Sequence, residues 1–202
     1  MAQRNSEYAR KERDLYETPE WVSQVILPYI PKYRVLWEPA CATGKMAEVL
    51  KADHASDIVT GYGDVMDFLS VKELWRSKYK DVGAIVTNPP FGRIGAAFMR
   101  HAVELMRPVK GFVAMLAPMT FDAAHGRSDL FGSCHAYYGK VTLTERIVWF
   151  DDPDKDVSPS SNHAWYIWDW QNATTRIAPI CLYHYPRANK EKLADVLWST
   201  VP

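Results

Sequence analysis

The 202-residue sequence predicts an α/β protein in which helices cover both faces of a mostly parallel sheet. Short apolar runs, suited to buried strands, alternate along the chain with segments whose apolar residues recur at helical spacing. Hydrophobic residues make up 48% of the chain and charged residues 24%, which is ordinary for a globular domain. The chain has no internal repeat, and its length suits one full core. We therefore expect a single three-layer domain over residues 1–202.

The first predicted elements surround a short buried strand. We interpret Thr18 and Pro19 as the N-cap and the first residue of a helix that reaches about Leu27. The apolar run 34–38 ends at an acid and a proline, which is typical of a buried strand. Helical spacing over 44–52 predicts the next helix, so this part of the chain forms a strand-to-helix unit.

The alternation continues through the middle of the chain. The predicted elements are a strand at 54–58, a helix at 66–78, a strand at 82–87, a helix at 94–106 and a strand at 111–116. The strand at 82–87 stops at two consecutive prolines, which cannot continue a hydrogen-bonded ladder. Two further strands are predicted at 147–150 and 164–170, on either side of a polar loop at 151–163.

Charge and cysteine content limit the classes of partner. The 24 basic and 24 acidic residues give a net charge of zero, so we expect any nucleic-acid contact to depend on a local basic patch. No apolar run reaches the length of a membrane span, and the charged arm at 1–15, flexible or basic, is unlike a signal peptide. Cys41, Cys134 and Cys181 form no CxxC pair, which predicts reduced thiols in a cytoplasmic protein. The six histidines show no metal-ligand spacing, so we predict no metal site.

A first candidate site lies where the strand 34–38 ends. Small residues follow Glu38 and lead into a helix, so the backbone can approach a ligand and the helix N-terminus can face its polar groups. The Glu38 carboxylate can accept a hydrogen bond from an ammonium or a hydroxyl group. The same residues also suit a tight turn without a ligand. Cys41, within this loop, is interpreted as a small packing residue.

A second candidate site follows the strand 82–87. Pro89 and Pro90 fix the backbone and remove two amide donors, which leaves carbonyl groups free to accept. Asn88 adds a side-chain carbonyl, and Phe91 offers a face for a planar group. We expect these acceptors to hold both hydrogens of an NH2 group and to make its nitrogen nucleophilic.

These segments resemble the motifs of amino-methyltransferases, the group that includes S-adenosylmethionine-dependent DNA N6-adenine methyltransferases. Asn88-Pro-Pro-Phe91 resembles their motif IV, and Glu38-Pro-Ala-Cys-Ala-Thr-Gly44 resembles the cofactor loop, motif I. Tyr16-Glu-Thr-Pro19 resembles motif X, so the similarity covers roughly residues 16–92. The segment Ser160–Trp168 resembles the final strands of small phage and prophage enzymes. The resemblance implies a class I, Rossmann-like methyltransferase fold in the cytosol of a bacterium or a phage-infected host.

The resemblance also implies a role for each matching residue. Glu38 would face the methionine end of the cofactor, Asp57 the ribose hydroxyls, and Asp67 the adenine amine. The other implied cofactor residues are Tyr16, Thr18, Pro19, Pro39, Ala40, Ala42, Gly44 and Asn88. Ala42 departs from the family, which usually has glycine there. A positive φ at this position would cost Ala42 on the order of 1 kcal/mol.

The implied reaction is methyl transfer to the exocyclic N6 of adenine in DNA, with the base rotated out of the duplex. The implied catalytic residues are Asn88, Pro89, Pro90 and Phe91. We expect no separate target-recognition domain; specificity would be loose, or it would come from Phe121–Tyr138 and Asp151–His163. His163 is expected to be a solvated loop residue, with contact to the target as the alternative. Arg93 and Arg100 are candidate phosphate contacts and Arg127 is a weaker one, and a solvated charge is the default interpretation for each. The alternatives are adenine in RNA, a glutamine amide in a protein, and a non-catalytic binding protein.

Overall fold

The computed structural model of the chain describes residues 17–32, 34–59, 61–149 and 161–173, and the backbone of Ile180–His184. Within these ranges eight strands form one sheet in the order β3-β2-β1-β4-β5-β7-β6-β8. The strands are β1 (Val35–Glu38), β2 (His54–Asp57), β3 (Asp64–Val65), β4 (Val82–Thr87), β5 (Phe112–Pro118), β6 (Tyr137–Leu143), β7 (His163–Asp169) and β8 (Ile180–His184). β7 is antiparallel to β5 and β6, and the other neighbouring pairs are parallel. The predicted mostly parallel α/β sheet is confirmed.

Helices pack on both faces of this sheet. The α-helices in the described ranges are α1 (Glu20–Ile26), α2 (Lys45–Leu50), α3 (Arg93–Met106) and α4 (Ser128–Phe131). Alternate residues of β5 face opposite sides: Ala114 packs with α1 and α2, whereas Val113 packs with α3. This alternation produces two apolar cores, one on each side of the sheet, and confirms the three predicted layers.

The parallel strands bring the two candidate sites to one edge. β1 lies between β2 and β4, and all three run in the same direction, so Glu38, Asp57 and Thr87 end at the same edge of the sheet. After β1 the chain passes to β2 on one side and later returns to β4 on the other. In α/β sheets such a reversal of strand order opens a crevice at the carboxyl ends of the strands.

The predicted helix at 66–78 is wrong. This segment contains the 3-10 helix Phe68–Ser70 and then turns as far as residue 81. Short polar side chains satisfy backbone groups locally in place of a helix: Asp67 accepts from the Leu69 amide, and the Ser77 hydroxyl donates to a carbonyl three residues earlier. Burial of Tyr79, which stacks on Trp37 at 4.0 Å, further favours this irregular path.

The C-terminal half differs from the prediction in several further ways. Residues 147–149 form no strand, and Phe150 lies outside the described residues. The strand β6 was not predicted, because a register shift at Gly139 interrupts its alternation of inward and outward residues. His163 is also not the solvated loop residue expected: it is the first residue of β7 and only 3% exposed.

The N-terminal boundary of α1 is one residue later than predicted. Pro19 is the N-cap, and Thr18 makes no capping hydrogen bond to the helix. Tyr16 and the predicted arm at 1–15 lie outside the described residues. None of the helices in the described ranges combines the length and the apolar character that crossing a membrane requires.

Replacing Gly95 with alanine tests how tightly α3 packs against the Asn88–Phe91 turn. A Cβ atom at Gly95 would lie 2.4 Å from the carbonyl oxygen of Pro90, so the turn or the helix must shift. We expect Gly95→Ala to lower the free energy of unfolding by about 1–3 kcal/mol, despite the better helix propensity of alanine. Gly126→Ala is the matched control, because a Cβ there meets nothing within 4 Å. Equal stability of the two variants in chemical denaturation would contradict this packing.

Candidate functional site

The loop that follows β1 is held in place by the neighbouring strand β2. The Cys41 amide donates to the Ser56 carbonyl at 3.0 Å, and the Ala42 amide donates to Asp57 Oδ2 at 2.9 Å. The other carboxylate oxygen of Asp57 accepts from the Val59 amide at 3.1 Å. Asp57 therefore joins the ends of two loops, a role that its predicted position beside a ribose did not reveal.

Ala42 has the positive φ whose cost for alanine was considered from the sequence. Its φ is 47°, in the left-handed region that favours glycine. The cost of this conformation for alanine is on the order of 1 kcal/mol. Gly44, with φ of 90°, has no such cost, and the ring of Tyr62 occupies the space where a Cβ would lie. The Tyr62 ring therefore packs directly against the backbone of this loop at Gly44.

Glu38 is a buried acid with an unused hydrogen-bonding oxygen. The residue is 2% exposed, and its Oε2 atom has no hydrogen-bond partner among the described residues. Burial raises the pKa of Glu38 well above 4.5, and the nearby Asp57 carboxylate raises it further. Glu38 lines a recess of about 20 Å³ together with Thr18, Lys45 and Asn88. A ligand with a positive charge would satisfy the orphaned oxygen.

The same electrostatic environment affects Cys41. Burial raises the pKa of its thiol to about 12, and Glu38 and Asp57 contribute to the rise. The thiol is free and lies 2.9 Å from the Tyr62 carbonyl oxygen, to which it donates. Its environment is therefore that of a packed, protonated thiol and not of a nucleophile.

The turn after β4 presents hydrogen-bond acceptors. Asn88 Nδ2 donates to the Thr18 hydroxyl at 3.1 Å. This bond connects the segment before α1 to the end of β4 and uses one amide hydrogen of Asn88. The Asn88 side-chain carbonyl has no hydrogen-bond partner within the described ranges. Pro89 and Pro90 follow without amide hydrogens, so the turn offers acceptors to a ligand.

A cavity of about 510 Å³ extends from this turn to the Asp57 loop, and we call it the acidic cavity. The charged residues among its lining are Asp57 and Asp67. Asp67 accepts from the Leu69 amide through one oxygen. The acidic cavity and the Glu38 recess share Ala40, Ala42 and Asn88 as lining residues, so they adjoin. The volume of the acidic cavity is within the range of small-molecule binding sites.

A second cavity, of about 640 Å³, lies against the same turn, and we call it the arginine cavity. Pro89, Pro90 and Phe91 line both cavities and form their common wall. The rest of its lining comes from the start of α3, the end of β5 and the 3-10 helices that follow. Arg93, Arg100 and Arg127 are its charged lining residues. The three arginines named as candidate phosphate contacts therefore line one cavity.

Most of the residues predicted for the site converge on this edge. The acidic cavity and the Glu38 recess are lined by Thr18, Glu38, Pro39, Ala40, Ala42, Asp57, Asp67, Asn88, Pro89, Pro90 and Phe91. Pro19 and Gly44 line neither of these spaces and instead precede α1 and α2 as N-caps. Tyr16 is outside the described residues.

The sequence did not reveal several residues of this region. Trp149 contacts Phe91 edge to face, with ring centroids 5.9 Å apart, and His163 at 5.3 Å. Trp149 falls in the segment predicted as a strand, so its side chain carried no site signal. Ile94 and Phe98 line the acidic cavity from α3. Their spacing of four residues, directly after the Asn88–Phe91 turn, could have indicated a helix face towards a ligand.

Solved structures with the same fold include several methyltransferases. A candidate class I S-adenosylmethionine-dependent methyltransferase from Listeria monocytogenes has a TM-score of 0.61 at 12% identity, over 96% of this chain and 72% of that chain. The DrdV–DNA complex has a TM-score of 0.55 at 11% identity, over 93% of this chain and 30% of DrdV. A candidate RNA methyltransferase from Pyrococcus horikoshii has a TM-score of 0.53 at 14% identity, over 84% of this chain and 91% of that chain. No protein-family model and no curated protein matches the sequence. The chain has the class I, Rossmann-like methyltransferase fold.

Replacing Glu38 with glutamine tests its buried ionisation. Because the pKa of Glu38 is raised in the folded protein, the folded state holds a proton that the unfolded chain releases above pH 4.5. The wild-type free energy of unfolding should therefore fall, relative to Glu38→Gln, as the pH rises from 4.5 towards neutrality. Chemical denaturation of both proteins at several pH values measures this difference. Glu48→Gln on the exposed face of α2 is the control; a constant difference between wild type and Glu38→Gln would contradict the assignment.

Proposed function

We propose that the protein is an S-adenosylmethionine-dependent methyltransferase that modifies the exocyclic N6 of adenine in DNA. One observation carries the proposal: the acceptor turn at Asn88 and the buried acid Glu38 line the same recess, which adjoins a cavity of suitable size. A methyl donor with a positive charge would match the buried acid Glu38. A methyl acceptor with a planar NH2 group would match the hydrogen-bond acceptors of the turn at Asn88. The class I methyltransferase fold is consistent with this pairing.

The residues of the acidic cavity and of the adjoining Glu38 recess fit the cofactor. Glu38 Oε2, buried without a partner among the described residues, would accept from the cofactor's ammonium group. Asp57 and Asp67 are the acids that would face its ribose hydroxyls and adenine amine, and both line the cavity. When bound, S-adenosylmethionine supplies a methyl group activated by a sulfonium. The absence of basic residues from the lining of the acidic cavity, within the described ranges, favours such a cation.

The turn after β4 would hold the target amine. The Asn88 side-chain carbonyl and the Pro89 carbonyl would accept its two hydrogens, which draws the nitrogen lone pair out of conjugation with the ring. In the structure Asn88 Nδ2 donates to the Thr18 hydroxyl, which leaves the Asn88 side-chain carbonyl available to the amine. Phe91 would stack on a base rotated out of the duplex, and Trp149 supports the Phe91 ring from its edge. Positioning of the amine supplies most of the catalysis.

Adenine in RNA is the second candidate target. One structural neighbour was solved in complex with DNA, whereas another is described as a candidate RNA methyltransferase, so the fold alone does not distinguish the two polymers. A glutamine amide in a protein is a third candidate for the methylated group, held by the same turn. The strained φ of Ala42 is the feature that favours a non-catalytic binding protein. Calorimetric titration with S-adenosylmethionine separates this last function from the others, because a scaffold without a cofactor site gives no binding heat.

Replacing Asn88 with alanine should abolish transfer and leave cofactor binding nearly intact. Loss of one preorganised hydrogen-bonding group in an active site lowers the rate by about 100-fold or more. The assay measures transfer of a labelled methyl group to DNA, RNA and protein, followed by identification of the modified nucleoside by mass spectrometry. Asn172→Ala, in the bend after β7 where Asn172 donates to Asp169, is the matched control and should retain full activity. Equal activity of Asn88→Ala and wild type would refute the role of Asn88; no transfer to any polymer by wild type would refute the function.

A further inference from the structure

The arginine cavity has a charge opposite to that of its neighbour. Its charged lining residues in the described part of the chain are Arg93, Arg100 and Arg127, with no acid among the lining residues. The acidic cavity, on the other side of the Pro89–Phe91 wall, has only Asp57 and Asp67 as charged lining residues in the same ranges. The charged lining residues of the two cavities thus differ in sign on the two sides of one turn.

The three arginines differ in how their charge is compensated. Arg100 donates to both carboxylate oxygens of Asp129, at 2.5 and 3.0 Å, so this pair is neutral and structural. Arg127 is held by the Phe121 carbonyl and lies 3.8 Å over the Phe121 ring, which orients the guanidinium without neutralising it. Arg93 is exposed on the first turn of α3 and has no acidic partner among the described residues. Within the described ranges, Arg93 and Arg127 therefore leave two positive charges beside the cavity without an acidic partner.

The acids near the cavity in the described part of the chain do not cancel these two charges. Asp129 is committed to Arg100, and Asp122 pairs with Lys140 at 2.7 Å. The remaining lining is largely apolar and includes Ala117 and Pro118 at the end of β5. A cavity of about 640 Å³ with an apolar wall and two cationic groups suits a ligand that combines flat or apolar groups with negative charge.

We propose that the arginine cavity binds the sugar–phosphate backbone of the polynucleotide that carries the target base, with Arg93 and Arg127 as phosphate contacts. This inference rests on the proposed function and names the substrate class of that site. The shared wall places the phosphate contacts directly beside the acceptor turn that would hold the amine. A neutral glutamine amide in a peptide does not itself require the positive charges of Arg93 and Arg127. A polynucleotide depends on contacts between basic side chains and its phosphates for affinity and register.

Equilibrium binding of the full-length chain to fluorescein-labelled oligonucleotides tests the proposal. The probes are one mixed sequence as duplex DNA, as single-stranded DNA and as single-stranded RNA, measured by fluorescence anisotropy over a series of salt concentrations. The variants are Arg93→Gln, Arg93→Glu and Arg127→Gln. The matched control is Arg76→Gln, an exposed arginine that pairs with Glu73 and lines neither cavity. Thermal melting accompanies each variant, because Arg127 also contacts Phe121; if Arg127→Gln melts early, the two Arg93 variants carry the test.

We expect Arg93→Gln to weaken binding about five- to tenfold near 0.1 M salt and to reduce the salt slope by about 1, as loss of one phosphate contact does. Arg93→Glu should weaken binding further, and Arg76→Gln should match wild type. The probe that wild type binds most tightly identifies the polymer as DNA or RNA. Wild-type affinity of Arg93→Glu for every probe, or no binding of any probe by wild type, would overturn the inference.

Two additional measurements separate failure of this inference from failure of the proposed function. If the protein methylates a glutamine-containing peptide and Arg93→Glu does not change the rate of this transfer, the polynucleotide site is overturned. Methyltransferase activity itself would still be supported. Conversely, Arg93-dependent oligonucleotide binding without calorimetric binding of S-adenosylmethionine would support the arginine cavity as a polynucleotide site and refute the catalytic function.

Discussion

Parallel pairing of β1 with β4 brings Glu38 and Asn88 to the same edge of the sheet, and the rest of the site depends on this alignment. The two residues are 50 positions apart in sequence, yet they line one recess because their strands are neighbours and end together. The hydrogen bond from Asn88 to Thr18 adds the segment before α1 to the same place. Three distant parts of the chain thus meet around two buried or half-buried polar groups. Their burial is what makes the recess selective for a charged or hydrogen-bonding ligand.

The turn from Asn88 to Phe91 also divides two electrostatic environments. Its prolines form a rigid wall between an acidic cavity and a basic one, and Gly95 allows α3 to approach that wall closely. Such a separation suits a reaction between a cationic donor and a group on a polyanion, because each partner finds complementary charge on its own side. The zero net charge of the chain conceals this arrangement, since the charges cancel only in the sum.

The sequence predicted the parallel core well and the periphery less well. β1, β4 and α3 were recognisable because uninterrupted apolar runs and helical spacing reflect burial directly. The segment after Asp67 was mistaken for a helix, since its apolar spacing is helical while serine and aspartate side chains satisfy the backbone locally. β6 was missed because its bulge and its pairing with β7 are tertiary features. In the site, motif residues were found, whereas Trp149 and the Thr18–Asn88 bond depend on contacts that no local pattern encodes.

A crystal structure of the protein with S-adenosylmethionine tests the central claim most directly. We expect the ammonium of the methionine end within hydrogen-bonding distance of Glu38 Oε2, the adenosine in the acidic cavity, and the reactive methyl directed at the space bounded by the Asn88 and Pro89 carbonyl oxygens. Cofactor bound elsewhere on the fold, or bound with its methyl group directed away from this turn, would contradict the account.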